Sequence, residues 1–190
     1  TTQLLEMGKK VVIALNMVDE AERKNIRFDI EKLSQRLGVP VVPTVASRGK
    51  GIEELIDAAI DVMGADVQSP MPFEYNGVIE HHIRGIEKLL EGEDLPYSSY
   101  WTALKVVEVD SEIIRNLKEL GLDDKKIERL ELFHKYHDSE NLELKIIDSR
   151  YAFANQVVDG AVIRPKEEVV TLTDRIDRIV TNKYLGIPIF

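Results

Sequence analysis

The run Val11-Val12-Ile13-Ala14-Leu15 leads directly into Asn16-Met17-Val18-Asp19, and this join constrains the chain more than any other stretch. A short apolar run that opens on three β-branched residues and is bounded by polar ones reads as a buried strand of a parallel sheet. Open α/β sheets take their ligands at the carboxyl ends of such strands, and the Asn and Asp stand at that end. An Asp carboxylate can accept two hydrogen bonds from the N1–H and N2–H₂ edge of guanine, while an Asn amide can serve both the base and a neighbouring loop. Adenine offers no such pair of donors. Asn and Asp also cap helices and make turns, so these four residues alone leave both readings open.

A second strand follows. Val39-Pro40-Val41-Val42-Pro43-Thr44-Val45 reads as buried, and it ends in the polar loop Ala46-Ser47-Arg48-Gly49-Lys50-Gly51 before a helix from Ile52 to Met63. Strand, helix, strand, loop and helix make a parallel crossover unit, whose two polar loops fall at one edge of the sheet and can face one ligand. Around it, Thr1 to Met7 reads as the tail of a helix closed by Gly8, and Glu20 to Lys24 as a short helix. Asp29 can cap a further helix with Ile30, Leu33 and Leu37 on one face and Gly38 at its end. Ile52, Leu55, Ile56, Ala59, Ile60 and Met63 form a stripe expected to pack on the sheet.

Gln68-Ser69-Pro70-Met71-Pro72 marks the clearest boundary, because two prolines do not continue a helix. Beyond it the apolar residues recur at helical spacing, from Val78, Ile79 and Ile83, through Trp101, Leu104 and Val107, to Ile113, Ile114 and Leu117. Asp123 can cap a helix carrying Ile127, Leu130 and Phe133, and Leu142, Ile146, Ala154, Val157 and Ala161 mark a longer one stopped by Pro165. The expected class is α/β followed by all-α, with residues 1–68 as an α/β part and 69–190 as a bundle of five or six helices. A last helix from Thr171 has Leu172, Ile176, Ile179 and Val180 on one face and Arg175, Arg178 and Lys183 on another. That pattern fits a core-packing terminal helix, or an element at a membrane surface with Tyr184 to Phe190 leading into the bilayer.

These motifs resemble the carboxyl half of a small GTPase domain. Asn16-Met17-Val18-Asp19 stands in place of the guanine-specifying NKxD motif and Ala46-Ser47-Arg48 in place of SAK. The resemblance implies that Asp19 reads the guanine edge, Asn16 braces the site and the Ser47 N–H meets guanine O6. Met17 replaces a Lys whose stem packs on the base, and a thioether can cover the same face without charge. Ala46 replaces a Ser whose side chain steadies the loop, which implies modest nucleotide affinity. More narrowly, Asn-Met-x-Asp followed by Glu20-Ala21-Glu22-Arg23-Lys24-Asn25-Ile26, then Leu37-Gly38-Val39-Pro40-Val41-Val42-Pro43 and Arg48-Gly49-Lys50-Gly51-Ile52-Glu53-Glu54-Leu55, resembles the cytosolic GTPase module of the ferrous iron transport protein B family. Ile147 to Phe153, Leu172 to Ile179 and Tyr184 to Phe190 extend the likeness over nearly the whole chain. It implies GTP or GDP as ligand, a helical spacer that influences how tightly GDP is held, and a parent with a transmembrane domain that brings Fe²⁺ across a membrane. This portion is then expected at the cytoplasmic face of the membrane.

The phosphate-binding pattern G-x-x-x-x-G-K-[ST] does not occur: Gly-Lys is found only at Gly8-Lys9 and Gly49-Lys50, neither followed by Ser or Thr. Asp61-Val62-Met63-Gly64 matches D-x-x-G, but it lies after the base-reading loops and reads as a helix end. The expectation is therefore a piece of a larger protein. The missing amino-terminal half of the G domain would be its partner and would hold phosphate and Mg²⁺, and the piece would be inactive in hydrolysis alone.

No catalytic or metal-ligating residue is assigned. His134 and His137 with Asp138 are an incomplete ligand set, and His81 and His82, adjacent on a helix, point apart. No apolar run approaches the ~18 residues that span a bilayer. The net charge of −9, with 19 acidic against 11 basic side chains in residues 71–163, makes nucleic acid an unfitting partner. Half a sheet leaves a strand edge that invites pairing with another copy. The competing expectation is a nucleotide-independent interaction module whose acidic helical part docks a partner.

Overall fold

The structure is a computed structural model and describes residues 1–65, 73–137 and 141–165. The proline-bearing boundary at 68–72 and the final helix expected from Thr171 lie outside the described residues. In chain order the elements are α1 (Thr2–Glu6), β1 (Ile13–Leu15), α2 (Val18–Arg23), β2 (Arg27–Phe28), α3 (Ile30–Leu37) and β3 (Val41–Pro43). A 3₁₀ turn (Ala46–Arg48) precedes α4 (Ile52–Gly64), α5 (Gly77–Leu89), α6 (Ser99–Val107), α7 (Ser111–Glu119), α8 (Asp124–His137), α9 (Leu142–Val158) and β4 (Val162–Ile163). The order is α/β and then all-α, as the sequence predicts. Two compact units share these elements. One comprises Val12–Val62 with the chain from Val158, the other Thr1–Val11 with Met63–Val157.

The first unit is built on β1 and β3, which pair in parallel with Ile13 opposite Val41, Ala14 opposite Val42 and Leu15 opposite Pro43. Asp29 caps α3 by accepting from the Lys32 N–H at 3.0 Å, and Gly38 closes it at φ +68°. Burial of the strands divides the two predictions. Val41 and Val42 are buried as expected, but Ile13 and Leu15 are only half-buried and Ala14 is exposed. β1 has β3 as its one partner among the described residues, so its second edge and part of its faces stay uncovered. The α4 stripe shows the same deficit. Leu55 and Ala59 are half-buried, whereas Ile56 and Ile60 are 52% and 61% exposed.

A second pairing was not foreseen. β2 and β4 run antiparallel, with Phe28 opposite Val162, and the Asp29 N–H donates to Ala161 O at 2.8 Å. Lys32 Nζ reaches Gly160 O at 3.1 Å, and Arg36 donates to Asp159 O. The long last helix accordingly stops at Val158, earlier than the Pro165 stop predicted, because Gly160 at φ +60° turns the chain into β4. Ala161 is buried beside that strand rather than on the helix, and Ala154 is exposed.

The second unit holds an apolar core of its own. Ile79, Ile83 and Ile86 of α5 meet Leu104, Val106 and Val107 of α6, Ile114 and Leu117 of α7, Leu130 of α8, and Leu142 and Ile146 of α9. Each such side chain, fully buried, contributes about 1.5–3 kcal/mol. Asn76, Ser98 and Asp110 cap α5, α6 and α7. α1 joins this unit through a buried charged cluster. Arg150 donates through Nε and Nη2 to Glu6 at 2.8 and 2.7 Å and through Nη1 to Glu108, while the Tyr75 hydroxyl donates to Glu6 at 2.5 Å. Among the described residues no helix is long and apolar enough to cross a membrane.

Candidate functional site

The parallel register decides where the polar corner forms. The ladder ends with Thr44 N–H donating to Leu15 O at 2.9 Å, which sets Asn16 beside Thr44. Asn16 Oδ1 accepts from Thr44 Oγ1 at 3.3 Å and from the Ala46 N–H at 3.1 Å. One amide thereby ties the loop after β1 to the loop after β3. Met17 follows in the left-handed region at φ +63°, its side chain 60% exposed, and starts α2 so that Asp19 falls in the first helical turn.

The second loop is narrow and folded back. Val45 and Lys50 form an isolated antiparallel bridge, with N–H···O distances of 2.9 and 3.3 Å, so Ala46, Ser47 and Arg48 project as a single 3₁₀ turn. Gly51 closes it at φ +79°, where a Cβ would strike the Pro43 carbonyl, so only glycine fits. The Ser47 N–H has no acceptor among the described residues.

Asp19 and Arg48 meet across the corner. Arg48 Nη2 lies 3.6 Å from Asp19 Oδ2, and Arg23 Nη2 lies 3.8 Å from the same oxygen. All six residues singled out from the sequence thus lie on these two joined segments, Asn16 and Met17 after β1 with Asp19 in the first turn of α2, and Ala46, Ser47 and Arg48 in the 3₁₀ turn after β3. Thr44 and Arg23 were not singled out. Thr44 could have been found from the register, because a buried hydroxyl at the end of β3 falls opposite the Asn that ends β1; Arg23 could have been found from its position four residues after Asp19. A groove of about 600 Å³ lined by Val18, Ile26, Phe28, Pro43 and Lys50 adjoins the corner through Val18 and excludes Asn16, Asp19 and Ser47.

The histidines behave differently. The His134 ring Nε2 lies 2.9 Å from Val106 O, and the His82 ring packs edge-on against Phe133. The His137 side chain lies outside the described residues.

Two family models match the chain. One, described as ferrous iron transport protein B, covers residues 1–59, and the other, described as the FeoB cytosolic helical domain, covers residues 75–163. The chain is 36% identical over its full length to an Fe(2+) transport protein A/Fe(2+) transporter FeoB fusion protein of Porphyromonas gingivalis, and 34% identical to the Fe(2+) transporter FeoB of Escherichia coli. It spans 24% of the length of each. Among solved structures it resembles a GDP-bound mutant of the S. thermophilus FeoB G-domain at 30% identity and a TM-score of 0.70, covering 85% of this chain and 62% of that one.

Proposed function

The chain belongs to the ferrous iron transport protein B family, and from that premise we propose that its first unit carries the guanine-reading corner of the GTP-binding module of a ferrous iron transporter. The solved relatives include GMPPNP and GDP forms of the T. maritima cytosolic domain. In this reading Asp19 accepts from guanine N1–H and N2–H₂, the free Ser47 N–H donates to O6, and the Met17 thioether covers a face of the base. Asn16 holds the two loops together, and Ala46 and Arg48 complete the second loop. The observation that carries the reading is the Asn16 amide, which brings Asp19 and Ser47 to one corner by accepting from Ala46 N–H at 3.1 Å.

Phosphate, Mg²⁺ and hydrolysis are assigned to a segment bearing the phosphate loop, since G-x-x-x-x-G-K-[ST] does not occur in these 190 residues. Mg²⁺ would sit with the phosphates, and among the described residues no group of three His, Asp or Glu converges that could hold it. The uncovered edge of β1 and the exposed Ile56 and Ile60 are the surface on which that segment would pack. The helical unit then acts as the spacer toward a transmembrane domain of the same protein, at the cytoplasmic face.

Calorimetry on the full-length protein tests this. GDP binds, ADP does not, and Asp19→Asn weakens GDP by at least tenfold, as loss of a doubly bonded acceptor implies. Equal affinity for GDP and ADP discards the guanine assignment and leaves the helical unit as a nucleotide-independent docking module.

A further inference from the structure

Guanine offers a carboxylate two neighbouring N–H donors on an N–C–N frame, and an arginine guanidinium offers the same frame. The corner described above contains such a group already. Arg48, from the second loop, places Nη2 at 3.6 Å from Oδ2 of Asp19, the carboxylate assigned to read the base. Its side chain is 63% exposed, and Asp19 is its one ion-pair partner among the described residues. Arg23 also approaches Oδ2, but it is engaged at 2.5 Å with Glu20 on its own helix. Arg48, with no second carboxylate to hold it among the described residues, is therefore the competitor, and Arg23, shared with Glu20, the neighbour.

Resting on the guanine reading, we propose that Arg48 is an affinity-determining residue that competes with the base for Asp19. The guanidinium pairs with Oδ2 of Asp19 across the two loops, and an incoming guanine edge exchanges with it. The returning guanidinium favours release. The exchange moves no proton and forms no bond other than hydrogen bonds and an ion contact. It predicts weak guanine binding with fast dissociation, set by one exposed side chain that does not touch phosphate.

The test uses the full-length protein and fluorescently labelled GDP, with dissociation followed by stopped flow. Arg48→Gln is expected to tighten GDP about two- to fivefold at low ionic strength and to slow its dissociation by a similar factor, the scale of one exposed ion pair. The gain should vanish near 1 M salt, where charges are screened within about 3 Å. Arg48→Lys, with charge but no donor fork, should fall between the two. IDP, which lacks the 2-amino group, should gain less than GDP from Arg48→Gln. Arg115→Gln, on an exposed cation of the second unit, should change nothing. If Arg48→Gln leaves GDP binding unchanged or weaker, the competition is overturned. If the unaltered protein fails to prefer GDP over ADP, it is the guanine reading that falls.

Discussion

Glu6 and Arg150 stand 144 positions apart in the chain and meet as a bidentate ion pair, with the Glu6 side chain fully shielded from solvent and Arg150 11% exposed. Nothing in the local sequence of either residue marks the contact. Burial opposes the Arg150 charge, yet its hydrogen bonds to Glu6 and Glu108 outweigh that penalty and hold the guanidinium protonated. α1 is only five residues long and too short to persist by itself, so this pair, with the buried Leu5, fixes it in the second unit.

Removing one member of the pair should be costly, and removing both much less so. Arg150→Met leaves Glu6 buried without a cation and is expected to lose about 3–5 kcal/mol, whereas adding Glu6→Leu should return part of that loss. Trp101, the one tryptophan, borders the core of the same unit and reports its urea unfolding. An Arg150→Met protein as stable as its parent would contradict the buried pair.

Tyr75 makes the same cluster sensitive to alkali. Burial first, then its hydrogen bond to Glu6 and the Glu6 charge, raise the phenol above its ordinary value of 10.0. The unfolded chain therefore loses this proton at lower pH than the folded one. The stability linked to it is complete below about pH 10 and is lost as pH rises beyond, at no more than ~1.4 kcal/mol per pH unit. Tyr75→Phe lacks this proton, so its stability should fall less steeply above pH 10. Tyr100, raised by its own burial and by Glu80, titrates in both proteins and cancels in the comparison.

Val109 carries backbone strain. It sits at φ +59° after α6, with its N–H donating to Val106 O at 3.0 Å and Asp110 N–H to Lys105 O at 3.1 Å, the closing turn in which glycine is usual. A β-branched residue there costs about 1–2 kcal/mol. Val109→Gly should therefore raise the midpoint of thermal unfolding of this unit by a few degrees. A lower midpoint would mean that packing of the half-buried valine outweighs the strain.

Asn16→Ala should loosen the second loop without unfolding the first unit. The Ala46 N–H loses its acceptor, and amide exchange there should quicken about five- to tenfold, as loss of a hydrogen bond worth ~1 kcal/mol implies. Amides of β3, such as Val42, should be unaffected.

Local features of the fold were legible because they depend on neighbours in the chain. Asp29 before Ile30, Gly38 after Leu37 and the Ile79/Ile83/Ile86 spacing each announce an element, and each element formed where it was expected. The short strands were not legible. Arg27-Phe28 and Val162-Ile163 have no alternation to read, and they are strands only because each finds the other. β1 shows the converse: its composition asks for burial on both faces, and among the described residues it has one partner strand.

The sequence by itself singled out Asn16, Asp19 and Ser47, the residues proposed to read guanine, because their chemistry is a property of the residues and of their places after two apolar runs. Tertiary structure alone decided that the segments bearing them are joined. The parallel register of β1 on β3 sets Asn16 against Thr44 and Ala46, and it brings Arg48 to Asp19. It alone, too, delivered Glu6 to Arg150. The physical reason is common to both: hydrogen bonds and ion contacts act over about 3–4 Å, a distance that separation along the chain does not specify and packing does.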